Sequence, residues 1–180
     1  MGSSVKINSS TKIYEGRVFE LVKENIVLPN GAVVDIDVLR HPGAAAMVAL
    51  TENDEVVLVR QYRHAVGDFL FEIPAGTLDP EEGHETCAHR ELEEETGYRA
   101  RRMEKIGEIV PVPGYSNERI HVYLATGLSR GESSLDHDEY LSVHEVDLEK
   151  AVDMVDKGEI CDAKTIFGIL RARMMLPIKK

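Results

Sequence analysis

The run Arg90-Glu91-Leu92-Glu93-Glu94-Glu95 packs four carboxylates into five residues, and no other feature restricts the fold of this chain as much. It sits in His84–Thr96, a stretch rich in Glu, Leu, Ala and Arg, which are strong helix formers. Gly97 follows where a helix would end in a left-handed residue. On such a helix Glu91, Glu94 and Glu95 share one arc, because positions i, i+3 and i+4 lie on one face. Like charges at that spacing destabilise an isolated helix. A surface helix that keeps them is either a solvated acidic face or one that meets cations. Mg²⁺ takes hard oxygen ligands, commonly one or two carboxylates together with substrate phosphates. The run alone leaves both readings open.

Extended segments surround this helix. Residues from about Lys12 to Leu39 read as strands, with Ile26-Val27-Leu28 and Ala32-Val33-Val34-Asp35-Ile36 flanking Pro29-Asn30-Gly31. Asn-Gly between apolar runs is a strong hairpin signal. Ala45–Thr51 and Val56–Tyr62 form a second pair about the turn Glu52-Asn53-Asp54, and Phe69–Pro74 is a further extended piece. Gly76–Gly83 reads as a loop. Strands follow over Met103–Val110, Ile120–Thr126 and Tyr140–Val146. Asp147 and Asp162 are placed to cap helices over Leu148–Lys157 and Ala163–Met174. Strands dominate the first third and helices enter later, which is an α+β pattern and not a regular βαβ wind.

Composition narrows the function. The formal net charge is −11, so the chain repels polyphosphate backbones and is not expected to bind nucleic acid. Phosphate chemistry here requires divalent cations and local Arg residues to reverse the field. The two cysteines, Cys87 and Cys161, form no C-x-x-C pair, so neither a disulfide framework nor a zinc site is expected. Free thiols, an N-terminus lacking an apolar signal core and the absence of a long apolar run lead us to expect a cytoplasmic protein without a membrane partner.

The segment Gly76–Tyr98 reads GTLDPEEGHETCAHRELEEETGY. It resembles the signature of the Nudix family, G-x5-E-x7-R-E-U-x-E-E-x-G-U, where U is a bulky hydrophobic residue. Gly76, Glu82, Arg90, Glu91, Leu92, Glu94, Glu95 and Gly97 match at the required spacing, and Tyr98 stands where an aliphatic residue is usual. Eight demanding positions make chance agreement improbable. The resemblance implies a loop-helix-loop on a mixed β-sheet sandwiched between helices (α/β/α), with an N-terminal antiparallel β extension. It further implies a divalent ion, Mg²⁺ or alternatively Mn²⁺, held by Glu91, Glu94 and Glu95, with Glu82 and Arg90 fixing loop and helix.

Three other segments are similar to the ADP-ribose pyrophosphatase subgroup of that family. Pro111-Val112-Pro113-Gly114-Tyr115-Ser116-Asn117-Glu118 resembles its S-P-G-x-[ST]-x-E loop, with Pro113 sixteen residues after Gly97. This implies substrate-binding roles for Gly114 and Glu118. Arg60-Gln61-Tyr62-Arg63 and Phe71-Glu72-Ile73-Pro74-Ala75-Gly76 resemble R-Q-[FY]-R and E-x-P-A-G. Arg63 would reach the substrate diphosphate, where a guanidinium fork suits phosphate oxygens, and the Ala75 carbonyl would be a metal ligand. Tyr14–Phe19 resembles a segment that crosses to a partner subunit and helps bind adenosine. That implies a homodimer and contacts from Arg17 and Val18; a plain first strand is the alternative.

The implied reaction is metal-dependent hydrolysis of ADP-ribose, or of a related nucleoside diphosphate sugar, to AMP and ribose 5-phosphate. The base that takes the proton from water is expected at Glu139, with Asp138, His137 and the box residue Glu94 as alternatives. Rival substrates are GDP-mannose, NADH and dinucleoside polyphosphates. A rival of another class is a non-catalytic Nudix-fold regulator that binds ADP-ribose. Residues 1–41 are expected to form the N-terminal β region and 42–180 the hydrolase domain.

Overall fold

The computed structural model describes residues 5–131, 133–134 and 140–177. The chain divides into two compact units, Met1–Gly43 with Val110–Arg119, and Ala44–Ile109 with Ile120–Lys180. The first unit holds an antiparallel sheet in the order β1 (Lys6–Glu15), β2 (Glu20–Val27), β3 (Val33–Arg40). The β2–β3 hairpin turns at the expected Asn-Gly, where Gly31 has φ 84° and its N–H donates to Leu28 O. The central strand alternates, with Val22, Glu24 and Ile26 buried. Glu24 is offset by Arg40, whose Nη2 donates to its Oε1 at 2.6 Å. Residues 110–119 join this unit along the end of β3: Leu39 N–H donates to Tyr115 O, Asn117 N–H to Leu39 O, and His41 N–H to Asn117 Oδ1.

The second unit is a seven-stranded mixed sheet covered on both faces. Its main path is β10 (Leu141–Asp147), β5 (Glu55–Arg63), β4 (Ala44–Leu50), β9 (Ile120–Arg130), β8 (Tyr98–Ile109). β4 and β9 run parallel. β6 (Asp68–Glu72) pairs with β5 and β7 (Ala75–Thr77) with β4. Every residue of β4 is buried, as expected of a strand covered on both sides. Alternate side chains go to opposite faces. Ala45, Met47 and Ala49, with Tyr123 and Ala125 of β9, pack with Cys87, Ala88 and Leu92 of helix α1 (His84–Thr96). Ala46, Val48 and Leu50, with Val122 and Leu124, pack with residues of α2 (Leu148–Asp156) and α3 (Ala163–Met175), including Leu148, Ala151 and Ile169. The sheet between helices is thus the α+β arrangement the sequence implied. Among the described residues, no helix is long and apolar enough to cross a membrane.

Three differences from the sequence reading have local causes. Residues 75–77 pair with β4 as a short strand inside what reads as a loop, and a three-residue strand containing Gly has no visible period. β8 begins at Tyr98, directly after the helix, because Gly97 turns the chain within one residue at φ 68°. β9 continues to Arg130, past the left-handed Gly127. The helix bounds of α1 and both aspartate caps stand as read. Asp147 Oδ1 accepts from Glu149 N–H and Lys150 N–H at 3.0 and 3.1 Å. Asp147→Ala therefore costs about 1 kcal/mol, a fall of roughly 2–4 °C in melting temperature for a chain of this size. Calorimetry checks this, and an unchanged midpoint would mean that α2 starts without its cap.

Candidate active site

The acidic helix does not present all of its glutamates to solvent. Its packing against the sheet buries Glu91 and Glu95 beside Cys87, Ala88, Leu92 and Thr96, and Glu95 is only 3% exposed. Of the three arc residues Glu94 alone faces outward to a large extent. Glu95 Oε2 accepts from Ala75 N–H at 3.0 Å. Glu91 lies directly under Gly76, where an added Cβ would stand 1.8 Å from the Glu91 carboxyl carbon. The glycine of the motif is thus a close-approach position: the backbone of β7 rests on a carboxylate of α1, and no side chain fits between them.

Arg90 ties the carboxylates together. Its Nε and Nη2 donate to Glu82 Oε1 and Oε2 at 3.0 and 2.8 Å. Nη1 donates to Glu91 Oε1 at 2.6 Å and to Glu94 Oε2 at 3.0 Å, and Nη2 reaches Thr77 O at 3.3 Å. These bonds, that to Glu82 foremost, raise the already high basicity of the guanidinium. The same fork holds the Glu82 carboxyl below the usual carboxylate range. Beside it the Cys87 thiol lies 3.6 Å from both Gly76 O and Thr77 O. Burial, and then the charges of Glu82 and Glu91, push that thiol up to about 12, which makes it an inert packing group.

A second ionic cluster fixes the segment leading into β7. Arg63, at the end of β5, donates from Nε and Nη2 to Glu72 Oε1 and Oε2, both at 2.7 Å. Glu72 is 2% exposed and also accepts from the Lys164 ammonium in the first turn of α3. Burial pushes the Glu72 carboxyl up, but the two cations outweigh it and leave it below its ordinary value. Lys164 Nζ lies 3.1 Å from Asp162 Oδ2, the N-cap oxygen of α3. Thr165 Oγ1 donates to the same oxygen at 2.6 Å and accepts from Ile73 N–H at 2.9 Å. Met47 N–H donates to Pro74 O. Residues 72–75 are therefore each held by a different partner. On sequence, Asp162 reads only as a helix cap, and Glu72, Lys164 and Thr165 do not read as part of a site; the E-x-P-A-G resemblance alone points toward Glu72.

The donor set around α1 suits a divalent cation. It offers hard carboxylate oxygens from Glu91, Glu94 and Glu95 and the carbonyl at Ala75, as Mg²⁺ prefers. Among the described residues, no three His, Cys, Asp or Glu side chains converge as a preformed cage. Gly76 rests on Glu91 and Ala75 N–H bonds Glu95, so two of these carboxylates lie against the backbone of 75–76, and hard oxygen donors of this kind fit such an ion.

The remaining expected contacts lie in the first unit. Arg17 and Val18, in the β1–β2 turn, line a concavity of about 380 Å³ with Glu15, Phe19, Arg40 and His41. Glu118 Oε1 is 4.0 Å from His41 Nδ1, beside this concavity, while Gly114 is not among its lining residues. Asp138, His137 and Glu139 lie outside the described residues.

The fold is one found among solved structures. A crystal structure of an ADP compounds hydrolase aligns with a TM-score of 0.84 at 20% identity, over 97% of this chain and 95% of that one, a likeness of fold. The NUDIX domain family model matches residues 40–166, and the chain belongs to that family and is a hydrolase. It is 41% identical to the ADP-ribose pyrophosphatase of Bacillus subtilis (strain 168), over 91% of this chain and 90% of that protein. It is 37% identical to the methanol dehydrogenase activator of Bacillus methanolicus, over 97% and 95%. Nudix hydrolases generally use divalent metal ions.

Gly76→Ala tests the close approach. The new methyl displaces Glu91 from Arg90, at a cost of about 1–3 kcal/mol typical of overpacking. It is also expected to abolish the rise in melting temperature that binding of a divalent cation would give the parent protein. A variant that melts and responds to Mg²⁺ like the parent would show that β7 has room to move.

Proposed function

We propose that this chain hydrolyses the pyrophosphate bond of ADP-ribose, or of a related nucleoside diphosphate sugar, with Mg²⁺ or in its place Mn²⁺, giving AMP and ribose 5-phosphate. The observation that carries this reading is the 41% identity, over nine-tenths of both chains, to an ADP-ribose pyrophosphatase. Glu91, Glu94, Glu95 and the Ala75 carbonyl hold the ion, which when bound neutralises the diphosphate and makes water a better nucleophile.

The chain's own residues supply orientation and proton transfer. Arg90 keeps the carboxylates of Glu82, Glu91 and Glu94 in register through charge-assisted bonds. Arg63 presents a cation to the diphosphate and, anchored on Glu72, loses little freedom in doing so. Glu139 takes the proton from the attacking water, with Asp138, His137 and Glu94 as its substitutes. Arg17 and Val18 contact the adenosine end, and Gly114 and Glu118 border the substrate. The working form is a cytoplasmic homodimer, with residues 1–41 as the dimerising region and 42–180 as the hydrolase domain. A second reading, that the chain regulates another enzyme, is favoured by its 37% identity to the methanol dehydrogenase activator.

A panel of ADP-ribose, GDP-mannose, NADH and diadenosine polyphosphates with Mg²⁺, resolved by chromatography, separates these readings. ADP-ribose should yield AMP and ribose 5-phosphate fastest, with no product in EDTA. Faster turnover of another diphosphate replaces the substrate, and no turnover at all favours the regulator. Glu95→Gln keeps an acceptor for Ala75 N–H, so the fold persists while turnover falls at least about a hundredfold through loss of a metal charge. Retained turnover sinks the metal assignment. Glu139→Gln lowers kcat about 10²–10³-fold with KM little changed, as removal of a general base does. An effect confined to KM would assign Glu139 to binding.

A further inference from the structure

Lys164 stands where a lysine is locally unfavourable. It lies in the first turn of α3, two residues after the N-cap Asp162, at the positive end of the helix dipole. Its ammonium is nevertheless almost fully withdrawn from water, with a side-chain exposure of 11%. A cation placed against both dipole and desolvation needs compensation, and the structure supplies it from Glu72 and Asp162. Local rules broken in this way cluster at functional sites.

Glu72 is shared. Arg63 bonds both of its oxygens, and Lys164 also bonds Oε2. The four groups balance as two cations and two carboxylates. Arg63 differs from the rest of the cluster in being 40% exposed. Two of its five N–H donors serve Glu72, and the outer part of the guanidinium faces outward. The charge it shows to an incoming anion depends on how completely Glu72 neutralises it. Without Lys164, the whole negative charge of Glu72 falls on Arg63.

We propose that Lys164 is a positioning residue for diphosphate binding: by sharing the buried Glu72 carboxylate with Arg63, it holds the Arg63 fork in place and leaves its charge available to substrate phosphates. This rests on the reading of Arg63 as a diphosphate contact. Lys164 touches no substrate in this scheme and acts through two intervening side chains. The link joins α3 to the neighbouring strands β5 and β6, with Lys164 lying 92 residues from Glu72.

The test is a double-mutant cycle between Lys164 and Arg63 with two readouts, KM and kcat for ADP-ribose and the affinity for inorganic pyrophosphate with Mg²⁺ by calorimetry. Lys164→Met should raise KM and weaken pyrophosphate about tenfold, with kcat within about twofold. Lys164→Arg, which restores the charge, should recover most of this. In an Arg63→Ala background, Lys164→Met should add less than about twofold, since the two residues act as a unit. Melting curves identify variants that unfold, and Lys164→Gln, which keeps a donor without charge, replaces Lys164→Met if that one does. Additive losses, a fall in kcat alone, or Lys164→Arg behaving like Lys164→Met in a folded protein would each overturn the proposal. If the parent protein fails to cleave ADP-ribose, the substrate reading falls, and the pyrophosphate arm still decides the role of Lys164.

Discussion

Burying Glu91 and Glu95 between α1 and the sheet carries a desolvation penalty of several kcal/mol for each unpaired charge. The fold depends on how that penalty is met. Arg90 meets it for Glu91 while also binding Glu82 and Glu94, and the backbone N–H of Ala75 binds Glu95. The site is therefore part of the structural frame. The glycine at 76, the arginine at 90 and the glutamates serve packing and chemistry through the same bonds. This explains the close spacing of the motif: one helical turn of carboxylates, one arginine to gather them, and one residue without a side chain to let the strand rest on them.

How much of this was legible in the sequence follows from the range of each interaction. α1 was readable to the residue because propensity, a left-handed glycine and the carboxylate pattern agree over thirteen residues. The caps Asp147 and Asp162 were readable because a cap acts on its immediate neighbours. The burial of the glutamates was not, since a charge run looks alike on a solvated face and against a sheet. β7 was lost because three residues carry no period. The Glu72–Lys164 pair was invisible for a plainer reason: its members lie 92 residues apart, and nothing near either one announces the other.

The sheet explains why two ionic systems coexist in one small unit without merging. Alternation along β4 sends Ala45, Met47 and Ala49 to α1, and Ala46, Val48 and Leu50 to the face covered by α2 and α3. Arg90 and its carboxylates belong to the first layer, whereas Lys164 and Asp162 belong to a helix of the second. Residues 72–75 pass from one system to the other. Glu72 and Ile73 are held from α3, Pro74 from β4, and Ala75 from α1. A four-residue segment anchored to these three elements and, through Arg63, to β5 has little freedom to relax, so displacement at either end is felt at the other.

That rigidity bears on how an acidic protein engages an anion. With a net charge of −11, long-range attraction does not bring a diphosphate to the site. Binding must rest on cations placed at short range, yet both Arg90 and Arg63 are already bonded to carboxylates. Arg90 is hydrogen-bonded to three of them and lies near a fourth, Asp79, which suits a residue that orders the helix face. Arg63 is committed to one, and that one is shared with Lys164. The difference in how completely each arginine is neutralised assigns them different tasks. Arg90 orders the carboxylates of the helix face, which on the proposed reading would hold the metal. Arg63, anchored on one carboxylate and partly exposed, is the one of the two that the proposed reading gives to the substrate.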